Sequence, residues 1–243
     1  RKFVNKAPSW TNFAEEPHDF DMVTVSQDGQ YILAMVEMQG LFLFDNNGSL
    51  IWTTNSNSVS QNPQALAISS SGDYIATLND DYVYLFSKRS SSYLWRAGRD
   101  TEFNTFRDLD ISETGDLIAV VCENGLYLYS KDSSTPLWTY SHSNSNHLTE
   151  VSISADGNRI AVGAEDGADN FYLFEKSGNG AIRGESYSED INDIQISADG
   201  KYVVLGSGED VYLYDCDIGD ELWDYSTVGS VEYVDLSYNG EHI

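Results

Sequence analysis

The segment Ala164–Asn170, AEDGADN, places Asp166, Asp169 and Asn170 close together. Two carboxylates and an amide carbonyl are hard oxygen donors, the set that Ca²⁺ takes. The segment is too short and irregular for the calcium loop of an EF-hand, so the expected chemistry is surface cation binding with Ca²⁺ as the candidate ion. More acids recur in a pattern: Glu37, Asp80, Asp81, Glu123, Glu165, Asp166, Glu209 and Asp210 fall one or two at a time into equivalent short connections. Asp108, Glu150 and Asp193 each stand seven residues before a regularly spaced glycine. Carboxylates gathered around one mouth focus negative potential and attract a cation or a basic partner.

Other chemistry finds no support in the residue pattern. His18, His142, His147 and His242 have no zinc-ligand spacing, and no Cys or carboxylate accompanies His142 and His147 at ligand distance in sequence. No serine sits in a Gly-x-Ser-x-Gly elbow, and no glycine-rich phosphate loop precedes a helix. The Lys and Arg residues do not line up to receive a quinone cofactor. Catalytic and cofactor residues are therefore not assigned.

Composition narrows the partners. The 243 residues carry 39 acidic and 13 basic side chains, a formal charge of −26 that repels nucleic acid and anionic headgroups. The longest apolar runs, YILAMV from Tyr31 and LIAVVC from Leu117, fall far short of the ~20 residues of a membrane helix. Neither nucleic acid nor membrane insertion by this segment is expected. The opening RKFVNKAPSW has no initiator Met and no apolar signal segment, as expected of a chain whose beginning has been trimmed.

The elements that must position these residues are written as a repeat. Ser-x-x-Gly occurs with Gly29, Gly72, Gly115, Gly157, Gly200 and Gly240, at intervals of 43, 43, 42, 43 and 40 residues. Each turn follows an alternating apolar stretch (MVTVS, LAIS, LDIS, VSIS, IQIS, VDLS) and precedes another, which reads as two strands around a tight turn. Glycine suits the left-handed backbone that such a turn requires. A third stretch follows (LFLF, YVYLF, LYLY, FYLF, VYLY), then a fourth ending in tryptophan (SLIW, SYLW, TPLW, DELW).

The tryptophans keep the same spacing. Trp52, Trp95 and Trp138 are 43 apart, Trp10 precedes Trp52 by 42, and Trp223 lies 85 beyond Trp138. Arg183 fills the vacant slot. A four-stranded unit of ~40–45 residues that cannot bury both faces alone is the signature of a propeller blade. The expected fold is all-β, a single β-propeller domain over 1–243 with repeats at 18–58, 59–103, 104–145, 146–189 and 190–229, plus a split blade from 230–243 and 1–17. Six blades are favoured, with seven or eight if the chain is an excerpt. A two-sheet sandwich also uses many short strands but needs no fixed period with an aromatic marker.

SADG, AVG, YLF/YLY and the later G-x-x-L-W together resemble the WD-repeat-like and quinoprotein-like propeller repeats of prokaryotic surface proteins, over essentially the whole chain. DIGDELW, Asp217 to Trp223, is similar to the tryptophan-docking motif of quinoprotein dehydrogenases, and the resemblance implies that this Trp packs against a neighbouring blade. Trp223-Asp224 spells the WD pair without the Gly-His that accompanies it in eukaryotic WD repeats.

In such a fold the second-to-third connections emerge at one end with the acids named above. The third-to-fourth connections, with Lys6, Lys88, Arg89, Lys131 and Lys176, and the first turns, with Arg159 and Lys201, emerge at the other. Cys122 and Cys216 fall in different repeats and are expected to be free, packed thiols. The expected function is a non-enzymatic interaction scaffold, a module of a secreted or cell-surface protein whose acidic face takes cations or a basic partner. Protein and glycan partners are both open, and NGS at Asn47–Ser49 is a glycosylation acceptor sequence. The alternative is a quinoprotein-like or lyase-type enzyme with its site at the channel mouth.

Overall fold

The structure, a computed structural model, describes residues 20–54, 59, 63–99, 104–142, 147–165 and 169–243. The described residues form five sheets of four antiparallel strands and no helix. The first sheet comprises β1 (Met22–Val25), β2 (Tyr31–Val36), β3 (Gly40–Asp45) and β4 (Leu50–Thr53); the second β5 (Pro63–Ile68), β6 (Tyr74–Asn79), β7 (Tyr82–Ser87) and β8 (Ser90–Gly98). The third holds β9 (Phe106–Ile111), β10 (Leu117–Cys122), β11 (Gly125–Ser130) and β12 (Ser133–Ser141). The fourth holds β13 (Leu148–Ile153), β14 (Arg159–Ala164), β15 (Phe171–Glu175) and β16 (Arg183–Glu185). The fifth holds β17 (Ile191–Ile196), β18 (Tyr202–Ser207), β19 (Asp210–Asp215) and β20 (Asp220–Ser226). Each sheet is a meander in chain order, and each occupies one predicted repeat.

The Ser-x-x-Gly turn is built by its serine as much as by its glycine. In the second sheet the Ser69 Oγ accepts the Tyr74 N–H at 3.0 Å, and the Gly72 N–H donates to the Ser69 carbonyl at 2.8 Å. The same serine contact recurs at Tyr31, Leu117, Arg159, Tyr202 and His242. The hydroxyl thus satisfies an amide at the mouth of the hairpin, where the chain has turned away from its ladder. The glycine has a second duty. Gly72 has φ +71° and its missing Cβ would meet the ring of Tyr31 in the preceding sheet, as Gly115 would meet Tyr74, and Gly157 Leu117.

The core lies between sheets. The four apolar clusters each join consecutive sheets, as where Leu33, Leu41 and Leu43 of the first pack with Ile75, Tyr84 and Phe86 of the second. A single sheet of this size leaves both faces apolar, so burial requires a neighbour on each side. The first strands neighbour one another in the order β1, β5, β9, β13, β17. These stacked four-stranded units fit a propeller-like repeat fold.

The count of complete sheets is five, against the six repeats read from the turns. The sixth Ser-x-x-Gly unit lies in 231–243, where no strand is formed among the described residues. It nonetheless sits where a next first strand would: the Val234 N–H donates to Asp193 at 2.7 Å, and Gly240 lies against Tyr202. Residues 1–17 with Trp10, proposed to complete that unit, lie outside the described residues.

The tryptophan register holds strand by strand. Trp52, Trp95, Trp138 and Trp223 pair opposite Leu43, Leu85, Leu128 and Leu213, and Arg183 pairs opposite Leu173. Three of the indoles reach the next sheet, where Trp52, Trp95 and Trp138 donate to the carbonyls of Lys88, Lys131 and Lys176 at 3.0, 2.9 and 2.9 Å. Trp223, with no further sheet described beyond it, is 40% exposed. Cys122, in β10, and Cys216, just after β19, form no disulfide and are buried, and burial pushes the Cys216 thiol up to about 12.

Candidate functional site: a channel and its two ends

Adjacent first strands are joined by side-chain hydrogen bonds to backbone amides. Asp108 Oδ2 accepts the Val151 N–H at 2.9 Å and Asp110 Oδ2 accepts the Ile153 N–H at 2.9 Å, so β9 and β13 run in the same direction. Ser152 Oγ does the same for the Ile196 N–H at 3.2 Å, and Asp193 for Val234. Asp108 and Asp193, each seven residues before its turn glycine, thus serve as acceptors for the next unit, a role that sequence reading did not assign. Their place in the repeat register was the available signal.

This arrangement crowds acids where water is scarce. Burial pushes Asp108 up to about 7, with Asp110 and Asp193 adding repulsion and the Val151 and Leu109 amides opposing it. Burial lifts Asp110 to about 6 against the Ile153 and Ile111 amides. Glu150, half-buried and near Asp108 and Asp193, is pushed up to about 9, chiefly by desolvation, and Asp193 is raised chiefly by burial. Desolvation outweighs the amide hydrogen bonds at Asp108, Asp110 and Asp193.

At the turn end the first strands open into a cavity of about 590 Å³. Its wall repeats: Gln27, Ser70, Glu113, Ala155, Ala198 and Tyr238 are the residues after the turn serine in all six units. Four consecutive backbone bonds run along them, Ser70 N–H to Glu113 O, Glu113 N–H to Ala155 O, Ala155 N–H to Ala198 O, and Ala198 N–H to Tyr238 O, at 2.9–3.0 Å. Asp110 and Asp235 also line it, and the lining contains no Lys or Arg.

The opposite end carries the second-to-third hairpins. Glu37, Asp80, Asp81, Glu123, Glu165 and Glu209 lie in these connections or at their borders, and Asp210 opens β19. The structure gives several of them local partners: Asp81 is 2.7 Å from Arg99, Glu123 pairs with Arg107, Glu165 lies 3.6 Å from His147, and Asp80 accepts from Gln64 at 3.1 Å. Among the described residues no three His, Cys, Asp or Glu side chains come together as a metal-binding group.

The candidate cation loop is divided. Asp166 lies outside the described residues. Asp169 Oδ1 accepts the Ser186 hydroxyl at 3.2 Å. Asn170 is fully buried, and its amide donates to the carbonyls of Tyr187 and Glu189 at 3.1 and 2.7 Å while its oxygen accepts the Tyr187 N–H at 2.7 Å. That side chain stitches the hairpin to the connection that follows β16.

No protein-family model matches the chain, and a comparison with curated proteins finds no match. No described helix is long and apolar enough to cross a membrane.

Proposed function

We propose that the chain is a non-enzymatic interaction scaffold, a WD-repeat-like or quinoprotein-like β-propeller that forms a module of a secreted or cell-surface protein. One observation carries the ring: a single cavity is walled by the same turn position of all five sheets and of the C-terminal unit. The C-terminal unit takes the sixth position, and the ring encloses the channel of Asp108, Glu150 and Asp193. Equivalent hairpins emerge together because adjacent first strands run in the same direction. Their carboxylates form a face that takes Ca²⁺ or a basic protein surface.

The test compares the wild type with an Asp166→Asn/Asp169→Asn variant, each melted with Ca²⁺ and with NaCl of matched ionic strength. A Ca²⁺-specific rise in Tm that the variant loses supports cation binding at that loop. A rise no greater than that of NaCl removes it and leaves a basic partner as the face's ligand.

The enzyme reading keeps one supporting observation, the raised carboxyl of Asp110 on the wall of the 590 Å³ cavity. A lyase-type proton transfer would use such a group near neutral pH. The quinoprotein form has less support, because that wall carries no cation to hold an anionic quinone.

A further inference from the structure

At two junctions the cation of the third-to-fourth turn is fully engaged. Lys88 Nζ lies 3.0 Å from Asp73 and 4.7 Å from the centre of the Tyr31 ring in the preceding sheet. Lys131 pairs with Asp116 and stands 5.7 Å from the centre of the Tyr74 ring. The same lysine recurs in the fourth sheet as Lys176, and both of its partners have changed. Asn158 replaces the aspartate after the turn glycine, and Leu117 replaces the tyrosine. Among the described residues Lys176 has no ion-pair partner within 4.0 Å.

Lys176 borders an open cavity of about 710 Å³ between the turn ends of the fourth and fifth sheets. Lys201 lines it too, held only by a 3.7 Å contact with Asp199. The floor is rigid, since Arg159 donates to the Gly200 carbonyl at 2.8 Å and to Asp217 at 2.6 Å. Asp156, Glu175, Asp199 and Asp217 bring four carboxylates to the wall beside the cations Arg159, Lys176 and Lys201. The indole that each earlier sheet extends onto its successor is missing from the fourth, because Arg183 holds the tryptophan slot and lies against Gly219 of the fifth.

We propose that this groove binds an anionic saccharide, a polyhydroxylated ring bearing one carboxylate or sulfate. Lys176 and Lys201 donate to the anionic substituent, and Asp156 and Glu175 accept from ring hydroxyls. The volume falls within the ~300–1,000 Å³ typical of small-molecule sites. The carboxylates of the wall repel a multiply charged phosphate, and no aromatic ring lines the groove to hold a neutral sugar by stacking. Physiological salt screens the −26 of the whole chain beyond roughly 8 Å, so the groove's own charges decide, with Lys176 and Lys201 in direct contact with the anionic substituent and the carboxylates left to the hydroxyls.

The probes are glucuronate and glucose, titrated at fixed ionic strength and followed by calorimetry or ligand NMR. Glucuronate is expected to bind saturably in the millimolar range or tighter, with glucose at least about tenfold weaker, since a charge-assisted hydrogen bond contributes that factor or more. Lys176→Ala/Lys201→Ala should weaken glucuronate by tenfold or more, and Lys131→Ala should leave it unchanged. Equal binding of the two sugars, an unaffected double variant, or no saturable glucuronate binding overturns the proposal. The site lies at the turn end, so the Ca²⁺ comparison at Asp166 and Asp169 neither supports nor removes it.

Discussion

The Tyr238 phenol donates to Glu113 Oε2 at 3.1 Å, joining two turns 125 residues apart along the chain. One belongs to the third sheet and the other to the C-terminal unit, and both border the cavity at the turn end. Stacked units that curve around an axis bring their turns together in this way, whereas a straight stack would separate the third from the sixth. Tyr238→Phe should leave Tm nearly unchanged, because an exposed phenol–carboxylate bond adds little, but amide exchange in the 237–243 segment should accelerate.

Packing of the tryptophans can be ranked. Trp95 stacks on Tyr129 with ring centres 5.5 Å apart and donates to Lys131, so Trp95→Ala should destabilise by about 3–5 kcal/mol. Arg183→Ala should cost far less, and Trp223→Ala, from a side chain 40% exposed, should fall between them. Chemical denaturation checks the order, and equal losses at Trp95 and Arg183 would show that the slot does not govern packing.

The turn glycines separate backbone strain from inter-sheet contact. Gly29 has φ +67° and open space beside it, so Gly29→Ala should cost only the left-handed penalty of roughly 1–2 kcal/mol. Gly115 has φ +76° and lies under Tyr74, so Gly115→Ala should cost about 1–3 kcal/mol more. Similar losses from equilibrium urea unfolding would mean that the tyrosine moves aside freely.

Stability should depend on pH in two opposing ways. Asp108, Asp110 and Glu150 have folded values of about 7, 6 and 9, above their ordinary 3.8 or 4.5, so the folded state holds extra protons and loses stability as pH rises from about 4 through those values. Asp73 and Asp116 are lowered, first by Ser71 and by Lys131 respectively, so their contribution is lost as pH falls below the ordinary 3.8. Thermal melts should therefore peak between roughly pH 4 and 6. Glu150→Gln should raise Tm at pH 8 and flatten the alkaline limb; an unchanged limb would remove Glu150 as a cause.

Charge sign gives a negative expectation. With −26 on the chain, binding to duplex DNA or anionic vesicles should be undetectable near physiological salt. Salt-sensitive retention on either would overturn the charge argument.

Sequence alone specified the strand order within each unit, the turns, the tryptophan slot and its occupation by Arg183. All of these rest on local rules: alternation every second residue, a glycine tolerant of positive φ, and a marker residue at a constant interval. The tertiary structure decided what happens between units. The repeat register separates Asp108, on a first strand, from Asp81, in a hairpin, but only folding gives the first the Val151 amide across a junction and the second Arg99 at an exposed end. Asn170 reads as a cation ligand in its heptapeptide, but folding buries it and directs its amide to Tyr187 and Glu189. Such roles depend on contacts between residues 17 to 43 apart, and on how much water the stacked sheets exclude, quantities that only the assembled sheets set.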